Sequence, residues 1–566
     1  MRALPLFFTI LTACLLCIDT TSGLSIHILT SPVLTAFLLS WPTAYIPQKI
    51  RGIIQFLIGI LVIIICLVDC YCQEFFGSSI TPLIISNILL SDARETIEFF
   101  TTFIGVQIFF RWRIVALLLI AIAFPFALYF LRKPIAIKKP VFMTGTVMLG
   151  ICIIIEIPAT YRYTQLFFQQ NDYQKMEGLI FRHYHEEVPT PLHRFVFAFY
   201  SLRQSSHMLE DIKQTTFSAQ IDSCSYLSPH IVLVIGESYN KHHSTLYGYH
   251  LQTTPLQQKR KDNGELYVFN DVVTPWNITS NAILGICSLW EYGMKESLGE
   301  MPLSPILFRR AGYSVNFFSN QYILRGFLKG TTNQAGHFFL ADYEVSDSLF
   351  TFRNTKTSKY DIGIVEQVHE YKKDHSKQSY TLDIIHLIGQ HFDYSERYPK
   401  PDNSLSMDNY DGKGINMEDK LTLMQYDKAT HYNDIVLDSI LNLYQDENAI
   451  VLYLADHGEE AYDDQPIHGR LFQEPTPSQA RYEFEIPMWI WCSESYRQTH
   501  PEILQRLEES VNKPFLSDGL SQVLLYIAGI SCSWYDDTRN LLSPNYRSKQ
   551  RIIGGSVDYD ELMKTK

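Results

Sequence analysis

The chain of 566 residues is long enough for more than one domain. Its formal net charge of −12 argues against a nucleic-acid-binding protein, which needs a basic surface. Apolar residues make up 46% of the chain, but they are concentrated in residues 1–158, and the remainder is mixed and acidic. The composition therefore indicates a membrane-embedded N-terminal part followed by a large water-exposed part.

Five apolar stretches in the N-terminal part have about the length needed to cross a bilayer, which takes roughly 20 residues. The first also fits a cleaved signal peptide, because an apolar run follows Met1-Arg2. However, no clear small-residue cleavage motif follows it, and another apolar stretch comes at once. We therefore predict five membrane spans, at residues 4–19, 27–46, 52–71, 114–131 and 141–158.

The basic residues predict the orientation of these spans. Arg2 precedes the first span, and Lys49 and Arg51 lie between the second and the third. Between the fourth and the fifth lie Arg132, Lys133, Lys138 and Lys139. The other two connections are poor in Lys and Arg. By the positive-inside rule, the N-terminus is cytoplasmic and the C-terminal part lies outside the cytoplasm.

Two segments outside the spans are candidates for interfacial structure. Residues 73–113 are long for a loop between membrane helices, and they fit either a short amphipathic helix at the outer interface or a loop packed over the bundle. The aromatic, partly basic stretch 191–200 fits an interfacial helix or a strap along the water-exposed part. We predict a transmembrane domain over residues 1–158, a bridge over 159–228 and a third domain over 229–566.

From residue 229 onward, short apolar runs alternate with helical patterns. The runs are β-branched and continuously apolar, which is typical of sheet strands covered by helices on both faces. They cover residues 231–235, 313–318, 382–387, 449–454 and 486–491. The predicted class is α/β, with a central, mostly parallel sheet.

Carboxylate and imidazole side chains cluster at the ends of three of these runs. Ligands of open α/β sheets bind beyond the carboxyl ends of the strands, and these groups are typical zinc ligands. A single Asp-His pair at a strand end is more often a structural hydrogen-bonded pair, but three such strand ends favour a metal site. The residues are Glu237, His386, His391, Asp456 and His457, with His468 further along the chain.

Thr279 is the candidate nucleophile, because a metal lowers the pKa of a coordinated hydroxyl and makes it reactive near pH 7. Two other interpretations of this threonine remain open. It completes an Asn-x-Thr glycosylation sequon with Asn277. It is also suited to be the N-cap of a helix that starts before Ala282.

At these motifs the sequence resembles the bacterial phosphoethanolamine transferases that modify lipid A or the lipopolysaccharide core, within the alkaline phosphatase and sulfatase superfamily. The resemblance covers nearly the whole chain. Each motif is weak by itself, but the combination is specific. The motifs are 234–238, 246–249 with 253–255, 386–391 with 397–399, and 455–459.

The resemblance implies a zinc site with a covalent role for the threonine. Glu237, Thr279, Asp456 and His457 would hold one tightly bound Zn²⁺, and Thr279 would be the nucleophile. His391 and His468 match histidines that bind the substrate phosphate or a second zinc.

The remaining site residues follow less directly from the resemblance. Glu459 would face the ethanolamine amine, and Asn320 with Gln321 loosely matches a segment on the substrate side. His386 matches a position of the same motif as His391, where a core histidine is the alternative. Pro275 stands where lipid A-modifying members carry a cysteine, which favours the core-modifying or an uncharacterised branch.

The resemblance implies a reaction, partners and a location. Phosphatidylethanolamine would donate phosphoethanolamine to Thr279, and a lipopolysaccharide acceptor (lipid A or a core sugar) or another envelope glycan would then receive it. The enzyme would be a multi-pass protein of the bacterial inner membrane with its catalytic domain in the periplasm. The alternatives are a glycerol-phosphate transferase, a sulfatase-like hydrolase, and a catalytically inactive binding protein anchored in the bilayer.

Overall fold

The computed structural model describes residues 3–18, 25–76, 79–82, 84–85, 110–131, 139–169, 189–321, 343–471 and 475–564. Within these residues the chain divides into two compact units. The first contains Met1–Ser205 and Leu471–Glu474, and the second contains Ser206–Arg470 and Pro475–Lys566. The boundary therefore falls inside the predicted bridge.

The first unit is built from apolar helices. Three of them, Gln48–Phe76, Trp112–Phe130 and Lys139–Arg162, are long and apolar enough to cross a membrane, the last within a helix that continues to Gln169. The other two predicted spans correspond to shorter helices, Leu4–Leu16 and His27–Ser40. Among the described residues, only three of the five predicted stretches form helices long enough to cross a membrane, so the number of five spans stays a prediction.

The predicted interfacial segments are described only in part. Most of the proposed amphipathic helix within 73–113 lies outside the described residues, and so do 170–188 of the bridge. The aromatic stretch 191–200 forms the start of a helix, Pro191–Ser218. Arg194 on this helix is 1% exposed and lies 2.6 Å from the buried carboxylate of Asp69, so a buried ion pair joins it to helix Gln48–Phe76.

The second unit contains a seven-stranded sheet. Its strands in chain order are β1 His230–Gly236, β2 Leu266–Phe269, β3 Ser314–Ser319, β4 Phe352–Arg353, β5 Thr381–His386, β6 Ala449–Ala455 and β7 Met488–Cys492. Their order across the sheet is β2-β7-β6-β1-β5-β3-β4. The five apolar runs identified in the sequence all form strands of this sheet.

The strand directions confirm a mixed sheet that is mostly parallel. Strand β1 pairs in parallel with β5 and β6, and β3 pairs in parallel with β4 and β5. Strand β7 is antiparallel to both of its neighbours, β2 and β6. The central strands are almost fully buried, with Ile231–Ile235 at most 1% exposed, as β-branched strands covered on both faces should be.

Helices complete the second unit and share its hydrophobic core. Their packed residues, such as Leu437 and Ile440 on the longest helix, belong to the same buried cluster as the strands. The helices are Pro255–Asp262, Thr279–Cys287, Ser304–Ala311, Tyr343–Leu349, Ile362–Asp374, Met417–Tyr444, Glu494–Thr499, Pro501–Ser510, Leu520–Ala528 and Tyr559–Lys564.

Candidate active site

The parallel pairing of β1 and β6 brings three potential metal ligands together. Gly236 at the end of β1 is in register with Ala455 at the end of β6, so Glu237 and Asp456 leave the sheet side by side. Glu237, Asp456 and His457 are all 0% exposed. Each offers one ligand atom within 4.8 Å of the others, a spacing that one ion can bridge.

Thr279 lies at the same point, although it comes from a helix rather than from a strand end. It is the first residue of helix Thr279–Cys287 and is 7% exposed. Its Oγ1 is 3.1 and 3.3 Å from the two Glu237 carboxylate oxygens and 3.2 Å from His457 Nε2. The structure therefore places the candidate nucleophile against two of the three candidate ligands.

Both other interpretations of the Thr279 segment are disfavoured. The helix N-cap is Ile278, and the Thr279 hydroxyl faces the acidic cluster instead of capping the helix. Asn277 is 6% exposed, and its side-chain amide donates to Glu483 at 2.6 Å. A glycosylated asparagine has to be on the surface, so this buried amide does not fit the sequon interpretation.

The hydrogen bonds of His457 define the tautomer of its ring. His457 Nδ1 lies 2.8 Å from the carbonyl oxygen of Gly458, which can only accept, so Nδ1 carries the proton. Burial and, after it, the charge of Arg470 lower the pKa of His457 to about 4, so the ring is neutral and the lone pair of Nε2 accepts from Arg470 Nη1. Nε2 nevertheless lies 3.3 Å from Glu237 and 3.2 Å from Asp456.

Three of the four oxygens of the Glu237 and Asp456 carboxylates accept hydrogen bonds from described residues. The Glu237 oxygens accept from Ser238 Oγ and Gln321 Nε2, both at 2.8 Å. Asp456 Oδ1 accepts from the backbone amides of Ser238 and His457. Within the described part of the chain, the buried Asp456 Oδ2 has no hydrogen-bond donor. Buried acceptors that converge without a donor fit a cation, and a mixed carboxylate and imidazole set fits zinc.

The pKa of Asp456 reflects the burial of two carboxylates side by side. Burial raises the pKa of Asp456, and the neighbouring Glu237 carboxylate raises it further. Ionising two adjacent buried carboxylates costs free energy unless a cation neutralises them. The pair therefore favours a bound metal.

The loop after β5 reaches the cluster through a glycine. Gly389 has φ +46°, in the left-handed region, and a Cβ there would lie 2.7 Å from the carbonyl oxygen of Glu237. The backbone amides of Ile388 and Gly389 donate to the buried carboxylate of Asp361. This loop can thus approach Glu237 only because residue 389 has no side chain.

His391, Glu459 and His468 are further predicted site residues, of which the structure links the last two through Tyr394. His391 is 8% exposed, with Nδ1 2.7 Å from the carbonyl oxygen of Phe392, and burial lowers its pKa. Glu459 accepts from the Tyr394 hydroxyl, and burial raises its pKa to about 7. His468 lies 2.9 Å from Tyr462 and packs beside the Tyr394 ring, which joins it to Glu459.

Three further predicted residues have different surroundings. Gln321 bridges Glu237 and the Leu387 carbonyl oxygen, so it supports a candidate ligand. Asn320 instead donates to Asp361 and accepts from the backbone amide of Ser358, which ties it to the loop framework. His386 is 0% exposed at the end of β5, with Nδ1 3.2 Å from Ser319 Oγ, a setting that suits a core histidine.

The sequence reasoning missed Arg470 and Asp361. Arg470 donates to His457 Nε2 at 2.6 Å and to the Asn277 carbonyl oxygen at 3.0 Å. Asp361 is 5% exposed and holds the loop that carries Gly389. No sequence motif marks either residue. Arg470 is a single arginine two residues after His468, and Asp361 is a single aspartate before a helix.

Comparison with known proteins places the second unit in a family. The sulfatase family model matches residues 229–524. The chain is 29% identical over 349 residues to phosphoethanolamine transferase EptC of Escherichia coli O18:K1:H7 (strain RS218), an alignment that covers 59% of this chain and 57% of the relative. The chain therefore matches a little over half of the length of this relative.

Two solved structures show the same architecture. The C-terminal periplasmic domain of E. coli EptC in complex with Zn is 26% identical with a TM-score of 0.51, and the match covers 61% of this chain and 96% of that domain. The integral membrane protein EptA from Neisseria meningitidis matches 96% of this chain and 99% of its own, with a TM-score of 0.63. At 17% identity, the second match shows a common fold only.

Proposed function

We propose a function from the premise that this chain belongs to the sulfatase family. The chain is a zinc-dependent transferase that moves phosphoethanolamine from phosphatidylethanolamine to a lipopolysaccharide acceptor, lipid A or a core sugar. The observation that carries this proposal is the position of Thr279 Oγ1, 3.1 Å from Glu237 and 3.2 Å from His457 Nε2 in a buried cluster. The naming of a relative as a phosphoethanolamine transferase, and the zinc in the EptC domain, support it.

The ligand set for the metal is Glu237, Asp456 and His457 together with Thr279. When bound there, Zn²⁺ supplies a Lewis acid that lowers the pKa of the threonine hydroxyl and polarises a phosphoryl oxygen. The protein holds the ligands in place before the ion arrives, because Ser238 and Gln321 orient the Glu237 carboxylate. Such preorganisation is what a nucleophile needs to react without costly rearrangement.

In the first half of the reaction, Thr279 Oγ1 forms a bond to the phosphorus of the donor lipid. The bond from phosphorus to the glycerol oxygen breaks, and diacylglycerol leaves; one proton leaves Oγ1 and one reaches the departing oxygen. Thr279 begins helix Thr279–Cys287, so the positive end of the helix dipole favours the charge on the phosphoryl oxygens. The product is a phosphoethanolamine group on Thr279.

In the second half, a hydroxyl or phosphate oxygen of the acceptor forms a bond to the same phosphorus, the bond from phosphorus to Thr279 Oγ1 breaks, and Oγ1 regains a proton. His391 and His468 stabilise charge on the phosphoryl oxygens. Glu459 faces the ammonium group of ethanolamine, for which its buried carboxylate beside Tyr394 is suited. Burial of the cluster keeps water away from the covalent intermediate and so favours transfer over hydrolysis.

The N-terminal helices account for the use of a lipid donor. Three of them are long and apolar enough to cross a membrane, and a protein held in the bilayer meets its donor by diffusion in two dimensions. The positive-inside pattern puts the second unit outside the cytoplasm. The proposed location is therefore the bacterial inner membrane, with the transferase domain, residues 229–566, in the periplasm.

Replacing the nucleophile tests this proposal. We expect Thr279→Ala to lower the release of diacylglycerol from phosphatidylethanolamine at least about 10³-fold, because it removes the hydroxyl that forms the intermediate. Zinc content and thermal stability should stay close to the values of the unchanged protein. The measurement is diacylglycerol release by purified full-length protein in vesicles, with metal analysis of the same samples.

Two controls make the result specific. Thr499→Ala, at an exposed position of helix Glu494–Thr499, should leave the rate unchanged. His457→Ala should lose zinc as well as activity, because it removes a ligand. Normal diacylglycerol release by Thr279→Ala would contradict the nucleophile assignment, and unchanged lipopolysaccharide in cells without the gene would contradict the proposed acceptor.

A further inference from the structure

Arg470 stands at the edge of the candidate active site, on a short hairpin. It directly follows the two-residue strand His468–Gly469, which pairs antiparallel with Glu460–Ala461. Its side chain is 14% exposed, which is low for a charged residue on a hairpin. The hairpin therefore directs a permanently charged group inward instead of toward solvent.

The contacts of the guanidinium lie around the nucleophile. Arg470 Nη1 donates to the backbone oxygen of Asn277 at 3.0 Å, two residues before Thr279. The same atom lies 2.6 Å from His457 Nε2, the ring nitrogen that is 3.2 Å from Thr279 Oγ1. On its other side, Arg470 Nε is 3.6 Å from the Glu459 carboxylate. Arg470 thus connects the residue proposed to face the amine with the segment that carries the nucleophile.

The charges around Arg470 hold it in this position. Arg470 Nε lies 3.6 Å from the carboxylate of Glu459, which is itself 1% exposed. An arginine in such an acidic site is a bound cation at any physiological pH. The acidic surroundings thus keep a guanidinium close to the place where phosphoryl charge has to be accommodated.

Zinc and Arg470 cannot share the lone pair of His457 Nε2. When that nitrogen serves as a metal ligand, Nη1 loses this acceptor and keeps the Asn277 oxygen. A guanidinium offers five donors in a planar fork that matches phosphate oxygens. A phosphoryl group that reacts at Thr279 Oγ1 brings such oxygens next to this guanidinium, which stays bonded to Asn277, two residues before Thr279.

We propose that Arg470 is a catalytic residue that binds the phosphoryl group during its transfer to and from Thr279, a role that rests on the proposed function. The guanidinium donates hydrogen bonds to non-bridging oxygens and stabilises their charge. It transfers no proton, and the bonds made and broken remain those at Thr279. Its pairing with Glu459 places it between the phosphoryl group and the site of the amine.

The test compares Arg470→Ala, Arg470→Lys and Arg506→Ala in the zinc-loaded full-length protein. Arg506 lies on helix Pro501–Ser510 and pairs with Glu509, so its loss should change nothing in the site. We measure zinc content, the Kd for inorganic phosphate by calorimetry, and kcat and KM for diacylglycerol release. Added guanidinium ion is tested for rescue of Arg470→Ala.

The expected result separates phosphate binding from metal binding. Arg470→Ala should keep its zinc, bind phosphate at least about tenfold more weakly and lose about 10²–10³-fold in kcat, as when one donor to a reacting oxygen is removed. Arg470→Lys should fall in between because it keeps the charge without the planar fork. Added guanidinium should restore part of the Arg470→Ala activity.

Two outcomes would overturn the role of Arg470. In the first, both variants bind phosphate as tightly as the unchanged protein. In the second, both lose zinc in parallel with activity, which would make Arg470 a support of His457 only. Failure of the proposed function looks different: the unchanged protein would release no diacylglycerol from phosphatidylethanolamine, while the phosphate affinities would still report on Arg470.

Discussion

At the scale of single residues, the second unit contains two buried clusters of ionisable groups, each around a histidine, and the two histidines differ in protonation. Around His457, the Nε2 atom of a neutral ring lies 3.3 Å from Glu237 and 3.2 Å from Asp456, so three acceptor groups converge. Around His243, which is 0% exposed, the ring lies between two carboxylates: Nδ1 is 2.6 Å from Asp427 and Nε2 is 3.1 Å from Asp463. Both ring nitrogens face acceptors, so His243 is protonated. One cluster therefore suits a metal, and the other is a complete ion-pair network.

The protonation of His243 predicts a pH-dependent stability. Burial by itself would lower its pKa, but Asp463 and Asp427 outweigh burial and raise the pKa to about 10. Because the folded pKa lies above the unfolded value of about 6.5, the stabilisation is full below pH 6.5 and is lost as the pH rises through about 10. We expect the melting temperature of the purified protein to fall across this window.

Replacement of the imidazole isolates this contribution. His243→Gln should destabilise the protein by about 3–5 kcal/mol near pH 7, because it leaves buried carboxylates unpaired. Its remaining stability should fall less steeply between about pH 7 and pH 10. His369→Gln, an exposed histidine on helix Ile362–Asp374, is the control. Equal slopes for His243→Gln and the unchanged protein would refute the protonation of His243.

At the scale of elements, the site depends on parallel strands that end at one edge of the sheet. Strand β1 is in register with β5 and β6, so Glu237, the 387–391 loop and Asp456 leave the sheet together. The carboxyl ends of parallel strands are where open α/β sheets bind ligands. Thr279 joins them only because its helix begins at the same edge, next to Glu237.

The loop glycine is the element-scale feature that is simplest to test. Gly389→Ala adds a Cβ at φ +46°, 2.7 Å from the Glu237 carbonyl oxygen, so the loop or the end of β1 has to move. We expect a destabilisation of about 1–3 kcal/mol from the left-handed backbone and the overlap. Diacylglycerol release should fall more than stability alone predicts, because Glu237 shifts.

The control for this change is another loop glycine. Gly414 is exposed, and a Cβ added there meets no atom within 4 Å, so Gly414→Ala should leave both stability and rate unchanged. Thermal unfolding and vesicle assays of both variants give the comparison. If Gly389→Ala behaves like Gly414→Ala, close approach of the loop does not position Glu237.

At the scale of the whole molecule, the chain combines a unit of apolar helices with an acidic, mixed α/β unit. The apolar helices expose large side chains such as Leu119, Ile122 and Phe130, which are 61, 64 and 73% exposed. A surface of this kind is stable only in an apolar environment such as lipid. The basic residues at 49–51 and 132–139 predict which ends of these helices remain in the cytoplasm.

Reporter fusions test this orientation. We expect an alkaline phosphatase fusion after Lys566 to be active, because this enzyme works only outside the cytoplasm. A green fluorescent protein fusion at the same position should not fluoresce. A fusion after Lys138, between the last two predicted spans, should show the opposite pattern because the basic residues retain it in the cytoplasm. A cytoplasmic C-terminus would contradict both the predicted topology and the periplasmic location of the site.

The sequence by itself determined the α/β class, the five apolar runs as strands, and the candidate ligands at their ends. These features are local: an apolar β-branched run predicts a buried strand wherever it occurs, and polar residues at its end follow from the chain order. Apolar length alone did not distinguish the three long helices from Leu4–Leu16 and His27–Ser40, because a hydropathy pattern does not show where a helix ends.

Only the tertiary structure decided which of these residues meet and in which protonation state. Thr279 could equally have been a cap or part of a sequon until its hydroxyl was placed against Glu237 and His457. Arg470 reaches Asn277 across 193 positions of the chain, and His243 finds Asp427 and Asp463 across 184 and 220. Contacts at such separations depend on how the strands and helices pack, and burial at that point sets the charges.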